Sequence, residues 1–264
     1  MTAGNSPSQS APVICPVSAM PNPKALIVIP ARMASTRLPG KPLALIHGVP
    51  MIVHVWRRAR ETGLGRVVVA AAEREIAAAV EAAGGEAVLT DPAHPSGSDR
   101  VHEAVERLDP ARQFDRILNI QGDLPTLDPG VGAKLWDLLD DDRVSLSTLV
   151  TKIAREDERT NPNVVKAVVA WKSQDRGDAL YFTRATAPHG PGDHWHHIGL
   201  YGWRRSALGR FVQLPPSPLE QREKLEQLRA LEDGMRIGVA AVKTVPLGVD
   251  TPEDLERARE MLKP

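Results

Sequence analysis

Short apolar runs alternate with longer amphipathic stretches through the first half of this chain. Residues 25–29, Ala-Leu-Ile-Val-Ile, are apolar throughout, which is typical of a central strand of a parallel sheet. Similar runs predict strands at 66–71, 86–89, 116–120 and 144–150. Apolar residues at helical spacing predict helices at 51–62, 73–83, 98–108 and 129–139. This alternation predicts βαβ units and an α/β fold with a Rossmann-like, mostly parallel sheet.

The pattern changes in the second half of the chain. Strands are predicted at 164–171, 179–182 and 198–203 with no full helix between them, so we expect a small antiparallel extension. Helices are predicted at 218–231 and 252–262, on either side of a strand at 237–242. Without an internal repeat or a linker, residues 24–264 are predicted to form a single domain. Its antiparallel portion, at about 164–203, is a candidate subunit interface.

The first 23 residues are rich in Ser, Pro, Asn and Ala and carry little apolar surface, so we expect a disordered tail at 1–23. They lack the basic start and long apolar run of a signal peptide. No stretch reaches the roughly 20 apolar residues of a membrane span. Cys15 is the only cysteine, which excludes an internal disulfide and a cysteine-rich metal site. These features predict a soluble, cytoplasmic protein.

The balance of basic and acidic residues limits the kinds of partner that the protein is expected to bind. The chain has 33 basic and 33 acidic residues. A general nucleic-acid or anionic membrane surface requires a basic excess, so we expect neither partner. A small anionic ligand requires only a local basic cluster, and the chain has one.

That basic cluster directly follows the first predicted strand. It reads Ala-Arg-Met-Ala-Ser-Thr-Arg-Leu-Pro-Gly-Lys at 31–41. Ligands of open α/β sheets bind beyond the carboxyl ends of the strands, where this loop must lie. Arg32 and Arg37 offer paired donors for phosphate oxygens, Lys41 adds a compact charge and Ser35 a hydroxyl. The loop is therefore predicted to bind a triphosphate and to neutralise the pyrophosphate that leaves. It does not carry the P-loop motif. A solvated surface loop is the alternative.

Two aspartates follow other predicted strands. Asp123 comes just after the strand that ends at Ile120, and Asp250 lies between the last strand and the last helix. One carboxylate from each turn would suit Mg²⁺, which binds few protein carboxylates and fills its shell with phosphate and water. Either aspartate alone could be a turn former or a helix cap, although Thr251 is better placed to cap the last helix. We predict Asp123 and Asp250 as metal ligands and, with Arg37 and Lys41, as the catalytic residues.

A series of short motifs runs from residue 26 to residue 262. It includes Ile-Pro-Ala-Arg at 29–32, His-Pro-Ser-Gly-Ser-Asp-Arg at 94–100, Gln-Gly-Asp at 121–123, Asn-Pro-Asn-Val-Val-Lys at 161–166 and Gly-Val-Asp-Thr-Pro-Glu-Asp at 248–254. No single motif is decisive, but the series resembles the 3-deoxy-manno-octulosonate (KDO) cytidylyltransferases of lipopolysaccharide synthesis.

The resemblance implies a fold of the nucleotide-diphospho-sugar transferase type. It implies transfer of CMP from CTP to the anomeric hydroxyl of KDO, with Mg²⁺ as cofactor, pyrophosphate as the second product and a homodimer as the assembly. The implied nucleotide contacts are Arg32, Ser35, Arg37, Lys41 and Ser96. The implied contacts to the sugar acid are Arg100, Gln121, Arg184, His197, Tyr201, Glu226 and Gln227.

The chain departs from the family pattern at two positions. Leu124 stands where the family commonly has Glu, and His196 where it often has Arg, so KDO and an amino-substituted analogue both stay open as substrates. The alternatives are a CMP-sialic acid synthetase, another sugar nucleotidylyltransferase, and a catalytically inactive binding protein of the same fold. The motifs that begin at residues 94 and 161 favour KDO. We expect no metal site at residues 194–197, His-Trp-His-His, because these residues lie on a predicted loop that leads into a strand.

Overall fold

The computed structural model describes residues 25–263, so the predicted tail at 1–23 lies outside the described residues. The strands of the described range are β1 (Ala25–Ala31), β2 (Leu45–Ile46), β3 (Val49–Pro50), β4 (Gly65–Ala71), β5 (Glu86–Leu89), β6 (Arg116–Asn119), β7 (Leu146–Lys152), β8 (Lys166–Trp171), β9 (Arg176–Thr183), β10 (Trp195–Arg204) and β11 (Ile237–Val242). Its helices are α1 (Met51–Glu61), α2 (Arg74–Ala82), α3 (Gly97–Leu108), α4 (Gly130–Leu138), α5 (Glu156–Thr160), α6 (Arg205–Gln213), α7 (Pro218–Glu223), α8 (Gln227–Glu232) and α9 (Pro252–Met261), and a 3₁₀ turn spans Lys41–Leu43.

Nine strands of the described range form one mixed sheet in the order β5-β4-β1-β6-β10-β7-β11-β9-β8. Strands β5, β4, β1 and β6 are parallel neighbours, as are β7 and β11. Strand β10 is antiparallel to both β6 and β7, and β9 is antiparallel to β11 and β8. The α/β class is confirmed. The sheet is mixed rather than mostly parallel, because β10 inserts into its middle instead of extending its edge.

The loops that follow β1, β6 and β11 leave the same edge of the sheet. Strands β6 and β7 run in one direction because each pairs antiparallel with β10. Since β11 is parallel to β7 and β1 is parallel to β6, all four share that direction. Three segments that are distant in sequence are therefore brought together at one edge.

Strand β1 is buried on both faces, as its apolar run predicts. Ala25, Ile27 and Ile29 pack into a core formed with α1, α2 and α4. Leu26 and Val28 pack into a second core formed with α3, α6 and α8. Helices thus cover both faces of the sheet and hold β1 in place, and the basic loop extends from its carboxyl end.

The prediction of a single helix at 218–231 is wrong, because this segment forms two helices, α7 and α8. Lys224 adopts a left-handed conformation with φ 57° and ends α7. The Arg184 guanidinium donates to the carbonyl oxygens of Glu223 and Lys224, at 2.8 Å and 3.4 Å. These bonds satisfy carbonyls that the broken helix leaves without partners.

Candidate active site

A cleft of about 770 Å³ opens where the loops after β1, β6 and β11 meet. All five residues predicted to contact the nucleotide line it: Arg32, Ser35, Arg37, Lys41 and Ser96. Both predicted metal ligands, Asp123 and Asp250, also line it, and so do Arg100 and Gln121 from the predicted sugar contacts. The fold therefore gathers into one cleft residues that the sequence separates by more than two hundred positions.

Lys41 bridges the two aspartates within this cleft. Its Nζ is 2.9 Å from Asp123 Oδ2 and 3.0 Å from Asp250 Oδ1. Arg37 Nη2 contacts Asp250 Oδ2 at 2.9 Å. The side chain of Lys41 is only 16% exposed, so its ammonium group is shielded from solvent. The four residues predicted to be catalytic form one connected ionic cluster.

The cluster shifts the pKa of two of its members. Burial acts to lower the pKa of Lys41, but Asp123 and Asp250 outweigh it, and the pKa is raised above its ordinary value. Burial acts to raise the pKa of Asp250, but hydrogen bonds and charge from Lys41 and Arg37 outweigh it, and the pKa is lowered. Both groups are therefore charged near neutral pH.

Backbone contacts fix the two aspartates relative to each other. The Val249 N–H donates to the carbonyl oxygen of Asp123 at 3.0 Å, which joins the loop after β6 to the loop before α9. The Val249 side chain is fully buried in a small core with residues of α1 and α9. Thr251 caps α9 by accepting the Asp254 N–H, as predicted. The Asp250 carboxylate is thereby left to face the cleft.

Gly122 allows the loop after β6 to pass close to β1. A Cβ at this position would lie 2.7 Å from the Pro30 carbonyl oxygen, closer than real Cβ atoms come to a backbone oxygen. We expect Gly122→Ala to displace Asp123, to lower activity about tenfold or more, and to destabilise the fold by about 1–3 kcal/mol. Thermal unfolding and turnover measure the two effects. Gly209→Ala, within α6, is the control, because its Cβ would find an ordinary 3.6 Å contact; equal activity of Gly122→Ala and wild type would contradict this account.

Arg100 lies in one wall of the cleft, and Glu226 contacts Ser96 of the same wall. Arg100 is only 2% exposed and donates to Thr90 Oγ1 at 2.6 Å. Ser96 accepts the Asp99 N–H as the cap of α3. Its hydroxyl lies 2.7 Å from Glu226 Oε1, so Glu226 reaches a residue that lines the cleft. Burial raises the pKa of Glu226.

Three more of the predicted sugar contacts lie behind this wall. His197 Nε2 is 2.9 Å from Thr148 Oγ1, and its Nδ1 is 3.3 Å from Gln227 Nε2. Burial lowers the pKa of His197 to about 3, so its imidazole is neutral. Tyr201 is also buried, and burial together with the charge of Glu226 raises the pKa of its phenol. None of the three is among the residues found to line the cleft within 25–263.

Arg184 lies apart from the cleft lining found in the described range. Besides the carbonyls of the α7–α8 break, it donates to the Pro162 carbonyl oxygen at 2.9 Å. Its predicted contact with the sugar acid stays a prediction.

His94, for which no role is predicted from the sequence, also lines the cleft. Its Nε2 is hydrogen bonded to Glu103 of α3. The sequence did contain a signal for this position, because His94 opens the motif at 94–100 that contains Ser96 and Arg100.

None of the helices within residues 25–263 has the length and apolar character needed to cross a bilayer.

Comparison with known proteins gives the same assignment as the motifs. Residues 26–237 match the model of the cytidylyltransferase family. The 3-deoxy-manno-octulosonate cytidylyltransferase of Rhodospirillum rubrum is 69% identical over 239 residues, which cover 90% of this chain and 95% of that protein. The protein of the same name from Paramagnetospirillum magneticum is 65% identical, over 90% of this chain and 97% of its own length.

Solved structures show the same likeness. CMP:2-keto-3-deoxy-manno-octonic acid synthetase complexed with CTP aligns with a TM-score of 0.84 and 40% identity, over 90% of this chain and 98% of that one. A cytidylyltransferase from Leptospira borgpetersenii shares the fold at a TM-score of 0.58 and 18% identity, over 89% of this chain and 85% of that one. The chain therefore belongs to the cytidylyltransferase family and, within it, to the 3-deoxy-manno-octulosonate cytidylyltransferases.

Proposed function

We propose that this protein transfers the CMP group of CTP to the anomeric hydroxyl of KDO, giving CMP-KDO for lipopolysaccharide synthesis and releasing pyrophosphate. The observation that carries the proposal is the cluster of Lys41, Asp123 and Asp250 in a cation-rich cleft, in a chain of this family. This cluster supports the proposal, because its cation suits a triphosphate and its two carboxylates suit a metal ion.

The charge of the cleft suits two anionic substrates. Among the described residues that line it, the permanently cationic side chains outnumber the carboxylates. The cations are Arg32, Arg37, Lys41 and Arg100, and the carboxylates are Asp123 and Asp250. A surplus of cations favours a triphosphate together with the carboxylate of a sugar acid.

The pair of aspartates fits Mg²⁺. Oxygens from two separate loops already lie within 3.0 Å of one cation, the ammonium of Lys41, so the two carboxylates are close enough to share an ion. Across residues 25–263 no three His, Cys, Asp or Glu side chains form a metal site, so the remaining ligands would be phosphate and water oxygens. When bound, Mg²⁺ would neutralise phosphate charge and lower the pKa of a coordinated hydroxyl.

The residues of the basic loop would act on the phosphates. Arg32, Ser35 and Arg37 would hold the β- and γ-phosphates, and Lys41 would remain a cation because carboxylates surround it. The anomeric oxygen forms a bond to the α-phosphorus, the bond from that phosphorus to the bridging oxygen breaks, and pyrophosphate leaves with the electron pair. The hydroxyl proton passes to solvent. Lys41 and Arg37 would stabilise the negative charge that develops on pyrophosphate.

The wall that carries Arg100 would bind the sugar acid. A buried guanidinium favours an anionic partner, so we assign Arg100 to the KDO carboxylate. Gln121, and Glu226 beside Ser96, would bind hydroxyl groups of the sugar. His197, Tyr201 and Gln227 are proposed to complete this subsite from behind the wall.

The assembly and location are also proposals. Strand β8 is the last strand in the sheet order and pairs with the start of β10 only at residues 166–167; nearby, the rings of Trp171 and Trp195 have centroids 4.5 Å apart and planes tilted by 54°. This surface, within 164–203, could pair with a second copy in a homodimer in the cytoplasm, where CTP is made. Light scattering that returned the 28.7 kDa mass of one chain would contradict the homodimer.

Pyrophosphate release tests the proposed reaction. The purified protein with Mg²⁺ is given CTP, UTP or ATP in combination with KDO, an amino-substituted KDO analogue or sialic acid. We expect CTP with KDO to give the highest kcat/KM. Turnover with sialic acid but not with KDO would contradict the substrate assignment. No turnover with any pair would favour an inactive binding protein.

A further inference from the structure

Glu73 stands at the N-cap position of α2 but makes no side-chain capping bond to that helix. Its Oε2 instead accepts a hydrogen bond from the backbone N–H of Met33, forty residues earlier in the chain, at 2.9 Å. Glu is not among the favoured N-cap residues, which are Ser, Thr, Asp and Asn. Helix formation therefore does not explain the choice of Glu here, whereas contact with the basic loop does.

Met33 links Glu73 to Lys41. The Met33 carbonyl oxygen accepts the Gly40 N–H at 3.3 Å, which closes the base of the loop between residues 33 and 40. Gly40 adopts a left-handed conformation, φ 70°, and leads directly into the 3₁₀ turn that begins at Lys41. The Met33 side chain packs against the core beside α1. Both backbone groups of Met33 are thus fixed, and the position of Lys41 depends on them.

We propose that Glu73 is a positioning residue for nucleotide binding, which holds Met33 so that the loop presents Arg37 and Lys41 to the phosphates. It acts through the loop backbone rather than on reacting atoms. This inference rests on the proposed function, because it assigns the loop to the phosphates of CTP. It makes a specific demand: loss of the bond must weaken use of CTP, and a variant that loses the charge but keeps the bond must not.

Three variants separate the possible roles of Glu73. Glu73→Ala removes the acceptor, and we expect the KM for CTP to rise about tenfold because a hydrogen bond from a backbone N–H to a charged group is lost. Burial lowers the pKa of Arg100 and the charge of Glu73 acts against that effect, so any change in the KM for KDO should be the same in Glu73→Ala and Glu73→Gln, which both lose that charge. Glu73→Gln keeps an amide oxygen that accepts the Met33 N–H and should restore the KM for CTP to within about threefold. Glu75→Ala, an exposed acidic residue in the first turn of the same helix, is the control and should change neither KM.

Hydrogen exchange provides a readout that does not depend on catalysis. We expect the Met33 amide to exchange at least tenfold faster in Glu73→Ala than in wild type, and Glu73→Gln to keep its protection. Unchanged exchange, or an unchanged KM for CTP, would overturn the proposal. Equal impairment of Glu73→Gln and Glu73→Ala would overturn it as well, because charge rather than the bond would then matter. If wild type fails to use CTP and KDO, the proposed function fails, while the exchange measurement still decides the role of Glu73.

Discussion

Asp123→Asn and Asp250→Asn should each lower kcat by roughly a thousandfold while the protein stays folded. Each substitution keeps the size of the side chain and removes one negative charge that faces Lys41 Nζ, at 2.9 Å or 3.0 Å. It also removes one of the two carboxylates proposed to hold Mg²⁺. The side chains are 30% and 45% exposed, so loss of either ion pair should cost little stability.

Steady-state pyrophosphate release measures this effect, and thermal unfolding shows whether the variants are folded. Glu253→Gln is the matched control, because it removes one carboxylate from an exposed position in the first turn of α9, three residues from Asp250. We expect it to keep wild-type turnover within about twofold, since one exposed charge at a helix N-terminus contributes little. Near-normal turnover in both aspartate variants would contradict the two-aspartate site.

Lys41→Met should lower kcat by roughly a hundredfold to a thousandfold. Methionine nearly preserves the length and apolar stem of lysine but removes the ammonium that lies between Asp123 and Asp250. The departing pyrophosphate would then lose its most shielded cation, and the two carboxylates would face each other without the positive charge between them. Lys41→Arg should recover only part of the loss, because a planar guanidinium does not replace a compact ammonium.

A comparison of kcat with the KM for KDO tests this role. We expect kcat to carry most of the loss and the KM for KDO to change little, since Lys41 is assigned to the phosphates. Lys134→Met is the control, because Lys134 forms only an exposed ion pair with Asp175 at 3.5 Å. Wild-type kcat in Lys41→Met would contradict the assignment of Lys41 to the leaving group.

The catalytic cluster could be predicted because one topological rule was enough. Arg37, Lys41, Asp123 and Asp250 all lie in loops that follow predicted strands, and loops at the carboxyl ends of co-directional strands meet at one edge. The rule requires knowledge of where the strands end and in which direction they run, but not of their order in the sheet. The position of β10 between β6 and β7 does not change the direction of β1, β6 or β11. The prediction that the loops after these strands meet is therefore unaffected.

Other features of the fold and the site depend on contacts between distant residues, which local sequence patterns do not encode. The apolar periodicity of 218–231 continues across the break at Lys224, where Arg184, the residue after β9, supplies the missing donors. Glu73 follows β4 at the same edge of the sheet as the basic loop, but its place at the start of a predicted helix concealed it. The division of the predicted sugar contacts between the cleft and the region behind its wall depends on the packing of β10 against α8, which sequence spacing does not reveal.

A crystal structure of the protein with a non-hydrolysable CTP analogue, Mg²⁺ and KDO tests the central claim most directly. We predict that Arg32, Arg37 and Lys41 hold the triphosphate and that oxygens of Asp123 and Asp250 bind Mg²⁺ at about 2.1 Å. The KDO carboxylate should lie against Arg100. A nucleotide bound outside this cleft, or a metal ion held by neither aspartate, would contradict the account.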